Sequence, residues 1–364
     1  MKKLLVALLV LAAVGFGAFA QDAAPTLTWS GSFGAGFAAV TDSGGTNVYQ
    51  YSPTTWGPDR LRLSFNYKDG GGNYGLAGRF QYKGFNGGVA PVLNRINAWG
   101  KFLNGMVTVK AGVLDGYEVA GPIWDDYGTT DGKTGVWVGV SPMDGLTVGY
   151  FLPASTTPDI NAFQHGIAGF AYSVKSVVDL NGGVNLGTTN ASTVIFWGAN
   201  VTAVTGLTLQ GEGYIPLDSS AGIISIIENV GYNVTDALTV SAMMSQNLYG
   251  SQATNGKIAL NFFPKVAYKV SDTVSVGAYV PFYSYYDDQG LYLFLDPMTC
   301  WGGAGILPAA ADPTQISKFA FGAGPYVAVT QGKATLTLGD SFYILPTTTN
   351  TTRNVLYGNI GFSF

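Results

Sequence analysis

After the first twenty residues, apolar and polar residues alternate along much of the chain with a period of two, the pattern of strands with an apolar medium on one face and a polar one on the other. Leu238, Val240, Ala242 and Met244 share one face, and Thr239, Ser241, Met243 and Ser245 share the opposite one. Val274, Val276, Ala278, Val280 and Phe282 alternate in the same way with Thr273, Ser275, Gly277 and Tyr279. Alternation alone does not say whether the apolar face meets lipid or the core of a sandwich.

A recurring hairpin narrows the choice. Short polar turns precede Leu146-Thr147-Val148, Leu207-Thr208-Leu209, Leu238-Thr239-Val240, Val274-Ser275-Val276 and Leu336-Thr337-Leu338. Gly, Asn and Asp at these turns are expected to supply the positive φ that tight hairpins need. Between them run longer connections, at about 41–58, 84–91, 115–131, 153–162, 187–192, 216–220, 249–255, 285–315 and 345–352. Short turns at one end and long loops at the other are expected of a transmembrane barrel and are not required of a sandwich. The pattern predicts an all-β, single antiparallel transmembrane barrel of about 18 strands, with about 16 as the alternative count.

Composition agrees. Only 11% of the 364 residues are charged, against about 25% in an ordinary soluble protein, while 13% are aromatic. So many aromatics exclude a disordered chain, and no run after the N-terminus has the roughly 18 apolar residues of a membrane helix. Lys2 and Lys3, the apolar run Leu4 to Phe19 and the small-residue end Ala18-Phe19-Ala20 have the layout of a secretory signal peptide. Residues 1–20 are therefore expected to be cleaved, leaving 21–364 as the barrel. Without the two lysines, 16 basic residues face 22 acidic ones, so no overall basic excess points to nucleic acid. Cys300 and His165, one of each type, leave no material for a Cys/His zinc cluster, and no cofactor is implied. Cys300 reads as an ordinary loop thiol, with a dimer-linking role the alternative.

Leu356, Gly358, Ile360, Phe362 and the terminal Phe364 occupy every second position of the last predicted strand. This resembles the C-terminal signature of bacterial outer-membrane β-barrel proteins, which in that family is read by the barrel-assembly machinery. The resemblance is to porin-like barrels of the general diffusion type. It implies an outer-membrane location, lipid around the barrel, small hydrophilic solutes as cargo and association as a homotrimer.

Lipid-facing Arg or Lys costs roughly 2–4 kcal/mol at the membrane midplane, so strand charges should keep the parity of the lumen. Eight basic residues lie between positions 60 and 110, and all eight do so. Arg60, Arg62 and Lys68 oppose Leu61, Leu63, Phe65 and Tyr67. Arg79 and Lys83 oppose Phe80 and Tyr82, Arg95 and Lys101 oppose Ile96 and Phe102, and Lys110 opposes Val109 and Val113. The next segment, 115–131, carries Asp115, Glu118, Asp125, Asp126 and Asp131 and no basic residue. In the porins this layout resembles, the third external loop folds into the pore and its carboxylates face a basic ladder. Low-dielectric walls focus the field of such a constriction. Arg62, Arg79, Arg95 and Lys110 are expected at mid-height. The alternative is that the basic residues wet a lumen and the acids decorate an exposed loop.

Two acids break the parity: Glu228 aligns with Val230 and Tyr232, and Asp340 with Leu338 and Phe342. Either a bulge resets the face or these positions lie above the oil; a bulge after Gly339 is the expected cause at Asp340, and Glu228 has no account. Trp29, Tyr67, Tyr150, Tyr214 and Tyr268 are expected in interfacial girdles. Trp99 and Trp137 have lumen parity, as space fillers or as guides for a sugar. His165 and the pairs Asp125-Asp126 and Asp287-Asp288 are weak candidates for hydrolytic or calcium chemistry, lacking the spacing of a dedicated site. The expected function is a water-filled, non-enzymatic diffusion channel. Alternatives are a closed structural or adhesive barrel, which the loops 41–58 and 285–315 would serve, and a solute-selective transporter.

Overall fold

The computed structural model describes residues 24–42, 44–50, 60–83, 91–114, 116–123, 128–154, 162–187, 189, 192–218, 223–249, 258–284, 319–344 and 352–364. The predicted signal peptide, the 285–315 loop with Cys300 and Asp287-Asp288, and Asp115, Asp125 and Asp126 lie outside the described residues.

The strands are β1 (Thr26–Asp42), β2 (Gly45–Gln50), β3 (Arg60–Lys68), β4 (Tyr74–Lys83), β5 (Val92–Phe102), β6 (Val107–Val113) and β7 (Thr134–Met143). They continue as β8 (Leu146–Pro153), β9 (Ile167–Val174), β10 (Val178–Asn185), β11 (Val194–Val201), β12 (Leu207–Pro216), β13 (Ile223–Asn233) and β14 (Leu238–Tyr249). The last are β15 (Ile258–Lys269), β16 (Val274–Tyr279), β17 (Phe282–Ser284), β18 (Phe319–Gln331), β19 (Ala334–Ile344) and β20 (Thr352–Ser363). All pairings are antiparallel, and β1 pairs with β20 to close the sheet.

These segments fill eighteen lanes, the higher of the two expected counts. β2 and β3 share one lane beside β1, since Phe37 pairs with Gln50 and Gly34 with Arg60. β16 and β17 share another, as both pair with β15 and β18 across the break at Val280-Pro281. The expected loop at 41–58 is thereby corrected. β1 turns back tightly after Asp42 and re-enters the sheet at Gly45, and Gly45, with φ of 116°, has a backbone that side chains avoid.

The apolar face looks outward. Leu61, Phe80, Trp197, Ile215, Val230, Leu338 and Ile360 are exposed, while Trp137, Phe196, Ser225, Ser245, Tyr343 and Asn359, of the opposite strand parity, are buried inside. A soluble fold would bury the first set, so this band requires an apolar surround. Leu356, Gly358, Ile360, Phe362 and Phe364 share that outer face, and the Phe364 carbonyl and amide exchange hydrogen bonds with Gly31 at 2.9 and 3.0 Å. The terminal residue thus completes the closing seam.

At the turns, Gly145, Gly206 and Gly332 have φ of 78°, 81° and 60°, as expected. Two turns work otherwise. Thr235 Oγ1 accepts from the Ala237 and Leu238 amides at 3.2 and 3.0 Å, and Ser271 Oγ accepts from those of Thr273 and Val274 at 3.3 and 3.1 Å. A hydroxyl closes these turns without positive φ.

Three expectations about faces are resolved. Asp340 sits in an unshifted β19–β20 register, paired with Leu356, so no bulge resets it. It is exposed on the outer face and accepts a 2.8 Å bond from Asn354 Nδ2. Glu228 likewise pairs in unbroken register with Gly211 and Met244, on the outer face of β13. Tyr214 is no girdle residue: it is buried inside the barrel, whereas Trp29 and Tyr268 are exposed outside.

Candidate pore constriction

Antiparallel pairing stacks the inward side chains of β1, β3, β4 and β5 in rows. Gly34 and Arg60 form one row, with Lys83 the register partner of Arg60 on β4, and Ser32, Arg62 and Gln81 form the next. Below them lie Ser30, Ser64, Arg79 and Arg95, then Thr28, Asn66, Ala77 and Asn97. A register shift between Arg79 and Phe80 brings Asn94 beside the row, where it accepts from Arg79 Nε at 3.2 Å. Arg62 Nε donates to Gln81 Oε1 at 2.9 Å. Of the Lys83 side chain nothing is described.

The segment between β6 and β7 starts as a hairpin stem. Leu114 N donates to Lys133 O at 2.9 Å, Gly132 N to Leu114 O at 2.8 Å and Thr130 N to Gly116 O at 3.1 Å. Asp131 takes two hydrogen bonds from Arg95, Nε to Oδ1 at 2.5 Å and Nη2 to Oδ2 at 2.6 Å, with Arg79 Nη2 3.5 Å away. Glu118 forms an ion pair with Lys110. The two described acids of the segment, Glu118 and Asp131, therefore meet the basic wall directly. Gly132, with φ of 78°, brings the backbone close under the Arg95 guanidinium, which lies 2.8 Å from where a Cβ would stand.

Burial would raise the Asp131 carboxyl, but the Arg95 hydrogen bonds and the charges of Arg79 and Arg95 outweigh it and hold the group below its ordinary 3.8.

Beyond the stem the segment reaches the far wall. Val119 is buried in a cluster with Leu114, Trp137, Phe151, Ile167, Val194, Phe196, Tyr214 and Ile227, with Ile123 packed against it. Asn181 Nδ2 donates to Val119 O at 3.1 Å. Glu212, 0% exposed, accepts from the Ile123 amide at 2.9 Å and from Tyr214 Oη at 2.7 Å. A side chain at position 121 would collide with that carboxylate, so Gly121 lets the backbone pass. The segment thus lies across the inside of the barrel, apolar against β7 to β13 and ion-paired against β5 and β6.

Sequence reasoning missed Glu212 and Asn181, although their lumen parity was readable from the strand pattern. Trp137 fills the apolar cluster, 1% exposed, and Trp99 lies on the inner face between Asn97 and Lys101. His165 is half-buried, after a short 3-10 turn at Ala162–Gln164. No group of three metal-ligating side chains occurs among the described residues.

The class that fold and interior define is a wide, closed antiparallel β-barrel with an apolar exterior and an inserted segment. Solved structures with a similar fold include two variants of the porin of Rhodopseudomonas blastica, each 15% identical with a TM-score of 0.48, covering 93% of this chain and 100% of theirs. Another, described as an engineered protein of asymmetric conductivity, is 14% identical with a TM-score of 0.49 over the same shares. At this identity the likeness concerns the fold alone, and the barrel rests on its own strand register. No family model and no curated protein matches the chain.

Proposed function

We propose that the chain is an outer-membrane channel through which ions and small hydrophilic solutes diffuse passively, with no chemistry performed on them. The observation that carries this reading is the facing of the wall: the guanidiniums of Arg60, Arg62, Arg79 and Arg95 share the interior with the inserted segment, while the outer face is apolar. A charge column inside a lipid-facing barrel costs less when water reaches it, and an aqueous lumen supplies that water.

In this reading Arg60, Arg62, Arg79, Lys83, Arg95 and Lys110 line the pore, and Glu118 and Asp131 belong to its constriction, with Asp115, Asp125 and Asp126 on the same segment. The export signal at 1–20 and recognition of the Leu356 to Phe364 strand by the barrel-assembly machinery are part of the proposal, as is a homotrimer. Liposomes carrying the refolded barrel should swell in isotonic solutions of small neutral sugars, faster for smaller ones. Swelling no faster than protein-free liposomes, with insertion verified, would refute an open channel.

A further inference from the structure

The inner wall recedes below Arg79. Ala77 is the small member of its row, and with Ser30 and Ser64 also small, the wall leaves a cavity of about 180 Å³. On that measure one water needs roughly 10–15 Å³, so the space exceeds a single hydration site. Thr28, Ser30, Ser64, Asn66, Ala77 and Arg79 line it together with Phe65 and Gly78, so the described lining offers hydroxyls, a carboxamide, a guanidinium and an apolar contact, and no carboxylate.

Among the described residues, the charges around this niche do not balance. Arg95 takes both oxygens of Asp131, and Lys110 takes Glu118. Arg79 is left with a 3.5 Å approach to an Asp131 oxygen that Arg95 already holds, longer than a charge-assisted hydrogen bond. Arg60, only 8% exposed, has a buried Nε with no hydrogen-bond partner among the described residues, and the same holds for Arg79 Nη2. Neither Arg60 nor Arg62 has a carboxylate in ion-pair contact among the described residues. Asn66 Oδ1 is also buried without a hydrogen-bond partner, and turning that carboxamide would aim its Nδ2 donors inward instead. Buried donors left unmade are costly, and a ligand that accepts from them removes the cost.

We propose that this niche binds a small oxyanion with the acceptor geometry of inorganic phosphate. Arg79 supplies the charge and a pair of N–H donors, the hydroxyls of Ser30 and Ser64 and the Asn66 amide complete the hydrogen bonds, while the Thr28 hydroxyl already donates to the Asn66 backbone carbonyl at 3.3 Å, and Arg60 and Arg62 above the niche hold the potential positive. Its use as a solute site rests on the channel reading, while its existence does not. A passing anion would pause here, so phosphate would compete with chloride in the pore.

The test is titration of the folded barrel in detergent micelles with inorganic phosphate at constant ionic strength, followed calorimetrically. The expected result is saturable binding of one phosphate per chain, at least tenfold weaker in Arg79→Gln and a few-fold weaker in Ser64→Ala. Arg79→Lys should retain part of the affinity and controls for loss of folding. No saturable binding by the folded wild type, or undiminished binding by a folded Arg79→Gln, would overturn the proposal. In bilayers, phosphate should reduce the potassium chloride current of the wild type and not of Arg79→Gln. A phosphate-insensitive current would contradict the niche, whereas phosphate binding without any current would support the niche and overturn the channel reading.

Discussion

Arg95 holds Asp131 through two parallel hydrogen bonds of 2.5 and 2.6 Å, which ties the inserted segment to the basic wall at its stem. The sign of its pH dependence follows from the lowered Asp131 carboxyl. A group whose value is depressed on folding stabilises the folded form above its ordinary value, here 3.8, and loses that contribution as pH falls through the lower folded one. Reversal potentials should therefore be insensitive to this pair from about pH 7 to about pH 5 and change only in stronger acid. Asp131→Asn should lack that acid transition. A transition of the wild type centred above about pH 5 that vanishes in Asp131→Asn would contradict the assignment.

At the far wall Glu212 is the corresponding tie. Glu212→Ala leaves the Ile123 amide and Tyr214 hydroxyl without this acceptor, a loss of about 1–3 kcal/mol for each buried group left unsatisfied. The barrel should still form, but residues 116–123 should become accessible to protease in the folded protein. Limited proteolysis checks this, and a protected segment in the variant would show that the apolar contacts suffice alone.

Trp137 is the largest fully buried side chain among the described residues and sits under the inserted segment. Trp137→Ala should cost about 3–5 kcal/mol if the cavity stays open. Urea unfolding in lipid vesicles measures it, and a loss below about 1 kcal/mol would mean that the segment collapses into the gap.

Glu228 faces outward near the middle of β13, between Ile226 and Val230. A carboxylate on the lipid face costs less than the roughly 2–4 kcal/mol of a basic residue, yet it is unfavourable at depth. Glu228→Leu should raise the stability of the inserted barrel by of order 1 kcal/mol. An equal loss would show that the carboxylate has a partner outside the chain.

The reach of the strand pattern is visible in these same residues. Arg60, Arg62, Arg79 and Arg95 could be assigned to the inner face because Leu61, Leu63, Phe80 and Ile96 alternate with them in a strand with water on one side and lipid on the other. Val194-Ile195-Phe196-Trp197 could not, since the inserted segment makes the inner face apolar too and the alternation vanishes. Tyr214 reads as a girdle residue because an aromatic near a strand end looks the same in sequence whether it packs inside the barrel or sits at a membrane interface. At β1 to β2 the sheet re-entry at Gly45 was hidden by the polar residues on both sides of it, which read as one long loop. The Glu212 and Asn181 ties needed the third dimension, because their partners Ile123 and Val119 lie 89 and 62 residues away.

In an open channel the arginine column is the inner wall of the lumen. Single-channel recording of the refolded barrel in a planar bilayer, with reversal potentials across a potassium chloride gradient, tests it most directly. Stable conductance steps with a preference for chloride, shifted toward potassium by Arg62→Gln and Arg79→Gln, are expected. Silence from a folded, inserted protein, or a selectivity that neither substitution moves, would contradict it.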